Sequence, residues 1–197
     1  MFEFIEDIDI KISLFINNLH CEILDFLMFH ITHWYCSCLI YAAVIFAFIA
    51  IKKQQCWQDI LFLTLAVIFV SIIISVFIKP NVARLRPCNT AELQSMLHIV
   101  KKYTASSFSF VSSHAATSFA IAIFVHTCLR KKSISILIFL WAFIYSYSRI
   151  YLGVHFFGDV LCGAFLGILC GKIFIKLSLL SVKNKSKNCH CELRNRK

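Results

Sequence analysis

Charge is scarce in this 197-residue chain: 15% of positions are Asp, Glu, Lys or Arg, and there are only 5 Gly and 2 Pro. Soluble globular domains carry about 25% charged residues, so that class is excluded. Disorder is excluded as well, because it needs low hydrophobicity and 59% of this chain is hydrophobic. Positive charge is missing where a cleavable signal peptide would carry it: the first residues hold Glu3, Glu6, Asp7 and Asp9. No cluster has convincing metal-ligand spacing. No aromatic-basic platform of the single-strand-binding kind is visible, so the net charge of +10 does not point to nucleic acid. A large soluble domain to grip a headgroup is lacking too.

What is present is apolar sequence in long runs. A spanning helix needs about 20 predominantly apolar residues. The segments between Asp25 and Lys52, Ile60–Ile78, Tyr103–Leu129, Ser133–Ser148 and Phe156–Ile175 meet or approach that need, the last interrupted by Lys172. The expected fold is all-α: a multi-pass transmembrane bundle of five to six membrane helices with an N-terminal amphipathic helix. Residues 22–51 fit one long helix or two. Near the N-terminus, Ile5, Ile8, Ile12, Phe15 and Leu19 recur at helical spacing among polar residues. Such a helix lies in the interface plane or packs on the bundle. The expected division is an interfacial helix over 1–21, a membrane-embedded catalytic domain over 22–177 and a basic tail over 178–197.

Ten cysteines do not make a disulfide scaffold, because Cys36, Cys38, Cys128, Cys162 and Cys170 fall in apolar runs, where cysteine is a small hydrophobe. Cys189-His190-Cys191 is a weak metal motif on the tail, and Cys21 with Cys88 is a candidate pair. Gly163 and Gly167 have the four-residue spacing of close helix packing within a bundle.

Lys52–Lys53, Arg130–Lys132 and the tail residues Lys183, Lys185, Lys187, Arg194, Arg196 and Lys197 fall on one side when five spans are counted. The positive-inside rule assigns that side to the cytoplasm. The acidic N-terminus, the Lys79–Lys102 segment and the Arg149–Asp159 corner then face outward together. These outer segments hold Lys79, Arg86 and Arg149, with Ser112, Ser113 and His114 near the start of the third run and His155 and Asp159 before the fifth.

Fixed cations near hydrocarbon are expensive without a purpose. Lys79, Arg86 and Arg149 suit phosphate oxygens, and Ser112 with the backbone N–H groups around Ser113 and His114 adds donors at a helix N-terminus. His155 and Asp159 are four residues apart, expected on one helix face. Asp159 can take the Nδ1 proton of His155 and leave Nε2 free to attack, while His114 serves as general acid. The chemistry is phosphoryl transfer through a histidine nucleophile, with no metal or cofactor called for.

The sequence resembles the type 2 phosphatidic acid phosphatases, or lipid phosphate phosphatases, whose core is shared with vanadium haloperoxidases. Their pattern is Lys-x6-Arg-Pro, then Pro-Ser-Gly-His, then Ser-Arg-x5-His-x3-Asp. Lys79, Arg86 and Pro87 match the first part, Ser112 and His114 the second, and Ser148, Arg149, His155 and Asp159 the third. Val111 and Ser113 depart from the family's Pro and Gly, and Ser113 would be strained if its backbone required φ > 0. The resemblance implies a helical-bundle hydrolase of lipid phosphates or diphosphates. His155 would carry the phosphohistidine, Asp159 would orient it, and His114 would protonate the leaving group and later activate water.

The expected partners are a lipid phosphate and the bilayer itself; oligomeric state is not legible. The substrate expectation is undecaprenyl diphosphate at the outer face of a bacterial cytoplasmic membrane. Phosphatidylglycerophosphate, phosphatidate and lipid A are the alternatives. A different class of reading is an inactive relative that binds or transports lipid phosphates.

Overall fold

The computed structural model describes residues 2–52 and 56–194 of the chain. Side chains from Val182 onward lie outside the described residues, as does Lys53, so the Cys189-His190-Cys191 motif and the basic residues of the tail are not placed. Every regular element among the described residues is helical. In chain order these are α1 (Phe2–Asn18), α2 (Glu22–Ile31), α3 (Trp34–Lys52) and α4 (Cys56–Ile72). α4 continues through a π-helical stretch, Ile73–Ile78, into the short α5 (Lys79–Val82). After α6 (Ala91–Gln94) come α7 (Ser113–Leu129), α8 (Lys132–Tyr151) and α9 (Phe157–Arg194).

Among the described residues, four helical stretches are long and apolar enough to cross a membrane: Trp34–Lys52, Trp57–Val82, Lys132–Tyr151 and Phe157–Ser181. α7 is a fifth apolar helix of 17 residues. It is the most enclosed, with Ala115, Ala116, Ala120, Ala122 and Phe124 fully buried, and it packs chiefly against α9 and α8. The small residues permit this. A Cβ on Gly167 would lie 2.0 Å from the Ala116 carbonyl oxygen, and one on Gly163 would lie 2.6 Å from that of Ser112. The glycine stripe therefore serves contact inside the bundle, as its spacing implies. It also brings the first turns of α7 and α9 together, where the Ser112 N–H donates to the Asp159 carbonyl at 3.0 Å.

Residues 22–51 form two helices, α2 and α3, broken at Thr32–His33. Thr32 is buried at the break, its hydroxyl accepting from Arg149. The uncharged Tyr103–Leu129 run is helical only from Ser113. Its first part stays irregular because its backbone carbonyls are used elsewhere: Ala105 accepts from Asn89, Ser107 from Arg86 and Phe108 from Lys79. A helix would have consumed those acceptors.

α1 both faces outward and packs on the bundle, by inverting the soluble pattern. Phe4, Ile5, Ile8, Phe15 and Leu19 are exposed, whereas Ser13 and Asn17 are buried. Asp9, Ser13 and Asn17, one turn apart, form a polar stripe against α8 and α9. Asp9 accepts from the Gly158 N–H at 2.6 Å and Ser13 from the Phe157 N–H at 2.9 Å. Asn17 donates to the Tyr151 carbonyl at 2.6 Å. α1 thus caps the start of α9 and the end of α8, the two ends that flank residues 152–156. Between α1 and α2 the chain bends by 113°. Cys21 and Cys88 are both free thiols.

Candidate active site

The three sequence patterns meet at the end of the bundle remote from the Lys52–Asp59 ion pair. Lys79 follows the π-helical stretch, and Ala83, with φ of 49°, ends α5 in the left-handed region. The chain therefore turns back, and Arg86 enters the bundle rather than continuing outward. Lys79 is buried and donates to the Phe108 carbonyl at 2.6 Å. Arg86 is buried and donates to the Ser107 carbonyl and hydroxyl and to the Val154 carbonyl. These bonds fix two cations before any ligand arrives.

Arg86 also reaches His155, Nη1 to Nε2 at 3.1 Å. A guanidinium only donates, so this Nε2 carries the lone pair and the ring proton sits on Nδ1. Nδ1 faces Asp159 Oδ2 at 3.5 Å and Ser109 Oγ at 3.4 Å. Ser109 in turn donates to the same Asp159 oxygen. This environment therefore selects the tautomer with the proton on Nδ1 and Nε2 free. Burial pushes the His155 pKa down to about 3; Asp159 opposes the shift, and the charges of Arg86 and Arg149 add to it.

His155 and Asp159 do not share a helix face. α8 ends at Tyr151, Gly153 turns the chain with φ of 67°, and α9 starts only at Phe157. His155 lies in the connection, and Asp159 reaches back from the first turn of α9 to accept the Phe156 N–H at 2.9 Å. That cap, rather than helical periodicity, sets their relation.

Ser112 is the N-cap of α7, yet its side chain caps nothing. Its Oγ is buried without a hydrogen-bond partner. Ser113 opens the helix and is not among the residues with positive φ. Serine therefore fits where the family pattern has glycine, without backbone strain. Val111 is buried beside Val70, Ile74, Ala116 and Cys170, a core contact. His114 stacks at a tilt on Tyr145, ring centres 5.2 Å apart.

A cavity of about 310 Å3 collects Lys79, Arg86, Ser113, His114 and His155, with Ser106 and Ser107 on its wall. Asp159 stands behind His155, and Ser112 supplies the uncommitted hydroxyl at the helix start. Arg149 sits further off. It is buried and donates to the hydroxyls of Thr32 and Tyr103, with Nε unpartnered. Among the described residues no group of three His, Cys, Asp or Glu could hold a metal ion. The arrangement can bind a polyanion, attack it with a neutral imidazole and deliver a proton from a second imidazole.

Three contributors escaped the sequence reading: Ser109, Arg84 and Asp9. Arg84 donates to Asp159 and to Asp9, each at 2.8 Å, and lies over the Phe156 ring. Its position inside the Lys79–Arg86 pattern was the only available signal. Ser109 lies within a serine-rich stretch, and Asp9 falls on the polar side of an amphipathic pattern, where neither carries a signal of its own.

Known proteins share this architecture. Two proteins named lipid A 4'-phosphatase are similar in sequence. The one from Bacteroides thetaiotaomicron is 35% identical over 179 residues, covering 88% of this chain and 78% of its own length. The one from Porphyromonas gingivalis is 28% identical over 181 residues, covering 90% and 75%. The crystal structure of Aquifex aeolicus LpxE superposes with a TM-score of 0.64 at 32% identity, covering 85% of this chain and 94% of that one. A PAP2-type phosphatidylglycerolphosphate phosphatase from Bacillus subtilis gives 0.67 at 25% identity, covering 88% and 85%. The family model for the PAP2 superfamily matches residues 59–182. With the motif residues assembled around one cavity, the chain belongs to the PAP2 superfamily and is a membrane-bound phosphatase.

Proposed function

We propose that this protein removes a phosphate from lipid A at the outer face of a bacterial cytoplasmic membrane, through a phosphohistidine on His155. The observation that carries the mechanism is the contact between Arg86 and His155 Nε2, which requires a lone pair on the atom that would attack. The names of the two sequence relatives favour lipid A over undecaprenyl diphosphate. The relation of basic loops to the site supports the outward orientation.

In the first step the Nε2 lone pair forms a bond to phosphorus and the phosphorus–oxygen ester bond breaks. His114 gives its proton to the departing sugar oxygen. Lys79, Arg86 and the α7 N-terminus hold the nonbridging oxygens, and Arg149 adds charge from behind. The proton on His155 Nδ1 stays there, stabilised by Asp159 as the ring becomes cationic. In the second step His114 takes a proton from water, the water oxygen attacks phosphorus, and the P–N bond breaks to give inorganic phosphate and the starting imidazole. Substrate enters sideways from the bilayer, its acyl chains remaining in lipid.

The test is phosphate release by purified protein in detergent with EDTA, using lipid A, undecaprenyl diphosphate, phosphatidate and phosphatidylglycerophosphate. Release from lipid A that His155→Ala abolishes is expected. Preference for another lipid would overturn the substrate, and release surviving in His155→Ala would overturn the mechanism. Absence of release from every lipid, with binding retained, would favour an inactive binding protein.

A further inference from the structure

A second pocket, of about 610 Å3, adjoins the phosphate cavity at His114, which lines both. The nucleophile is in the smaller cavity and the proton donor is at the boundary. A leaving oxygen protonated by His114 is thereby placed where the rest of its group can extend into the larger pocket. We infer that this pocket is the leaving-group subsite and takes a neutral pyranose ring, the phosphate-bearing sugar of the substrate. The inference rests on the lipid A reading and extends it to the residues that read the sugar.

The lining argues for a sugar against the other candidates. It is built at the α2–α3 break and the adjoining faces of α3 and α8, with Trp34, Tyr41, Tyr103 and Tyr145 as aromatic walls. Such side chains offer flat apolar faces together with a polar handle, which matches the alternating C–H faces and hydroxyl edges of a pyranose. Among its lining residues there is no Lys or Arg. A second phosphate, as in a diphosphate substrate, would meet no Lys or Arg on the pocket wall, since Arg149 stands behind the Thr32 and Tyr103 hydroxyls. An acyl chain would offer no acceptor to the Thr32 and Tyr103 hydroxyls, whose own protons remain to be given. The volume falls within the about 300–1,000 Å3 of small-molecule sites.

The hydroxyls are also prepared for acceptors. Arg149 donates to Thr32 and Tyr103. A hydroxyl that already accepts keeps its own proton to give, so both can donate to sugar oxygens. Arg149 therefore joins the two compartments, contributing charge towards the phosphate and polarising two walls of the sugar pocket. This explains why its guanidinium is tied away from the phosphate cavity.

Trp34→Ala and Tyr41→Phe test the assignment in purified full-length protein. Trp34 is 73% exposed, and Tyr41→Phe removes one hydroxyl, so both variants should fold. The readouts are kcat/KM on lipid A and the inhibition constant for vanadate, which fills the phosphate cavity without a leaving group. Trp34→Ala should lower kcat/KM about tenfold and Tyr41→Phe about threefold, with vanadate inhibition unchanged within about twofold. Wild-type kcat/KM in both variants would overturn the subsite, as would vanadate inhibition weakened in parallel with kcat/KM. A wild type that releases phosphate from other lipids but not from lipid A would remove the functional reading, and the subsite with it.

Discussion

Arg84 binds Asp159 through Nη1 at 2.8 Å, while its Nη2 binds Asp9 of the N-terminal helix at the same distance. Asp159 is thereby held from two sides, with His155 and Ser109 on Oδ2 and Arg84 on Oδ1. The N-terminal helix, expected either in the interface plane or packed on the bundle, is thus wired to the carboxylate that faces His155. Arg84→Ala should lower kcat by about 10- to 100-fold with little change in KM, because orientation is lost while the phosphate donors remain. Arg84→Lys should recover part of the loss, since it restores charge without the two-pronged geometry. Asp9→Asn should do less damage than Arg84→Ala, as an amide oxygen still accepts the Gly158 N–H. Steady-state kinetics on the three variants decide this, and equal losses in kcat and KM would contradict it.

How much of this was legible beforehand depends on what each residue bonds to. Lys79, Arg86, His114 and His155, which share a cavity, and Asp159, which faces His155, were legible as a group because they stand in motifs of fixed side-chain type and spacing. The Asp9–Ser13–Asn17 stripe was not, because its partners are backbone groups 149, 144 and 134 residues away. Such groups leave no trace in side-chain identity. The same blindness put Tyr103–Ser112 inside an apolar helix, when its carbonyls serve as ligands for Lys79 and Arg86. It also placed His155 on a helix, because i,i+4 spacing looks alike whether a helix or a reaching cap creates it.

His155 should be neutral throughout the working range. Its pKa lies at about 3 in the folded protein, against 6.5 unperturbed. For kcat/KM, which reports the free enzyme, the His155 acid limb should fall well below pH 6.5. A His155 midpoint at or above 6.5 would contradict the burial argument. Stability follows the same shift. Between these two values the unfolded chain binds a proton that the folded chain refuses, so stability is complete above 6.5 and declines as pH falls towards 3. Melting temperatures at about pH 7 and about pH 5 should differ more for the wild type than for His155→Gln.

Gly167 offers a test of what aligns the two halves of the site. A Cβ there meets the Ala116 carbonyl carbon at 2.8 Å as well as its oxygen, and backbone cannot rotate away as a flexible side chain would. Gly167→Ala should destabilise the protein by about 1–3 kcal/mol. It should also lower kcat, because forcing α7 from α9 separates His114 from His155. A thermal shift assay in detergent with parallel kinetics measures both effects. An unchanged melting temperature would show that the α7–α9 contact tolerates more room than its geometry allows.

Ser112 separates function from stability. An N-cap serine normally stabilises its helix by accepting from an N–H in the first turn, and its removal costs about 1 kcal/mol. Here the side chain does not cap, and its buried Oγ has no partner. In the free protein that hydroxyl is a desolvated group without compensation, so deleting it is neutral or stabilising. Under the proposed mechanism, a bound phosphate would take it as a donor beside Lys79 and the α7 N-terminus. Ser112→Ala should therefore lower kcat/KM by about tenfold, the worth of a hydrogen bond to a charged group, while the melting temperature holds or rises. Vanadate or phosphate should raise the melting temperature less in the variant than in the wild type. Loss of activity accompanied by loss of stability would mean that the hydroxyl serves the helix after all. Intact activity would mean that the phosphate does not reach the start of α7.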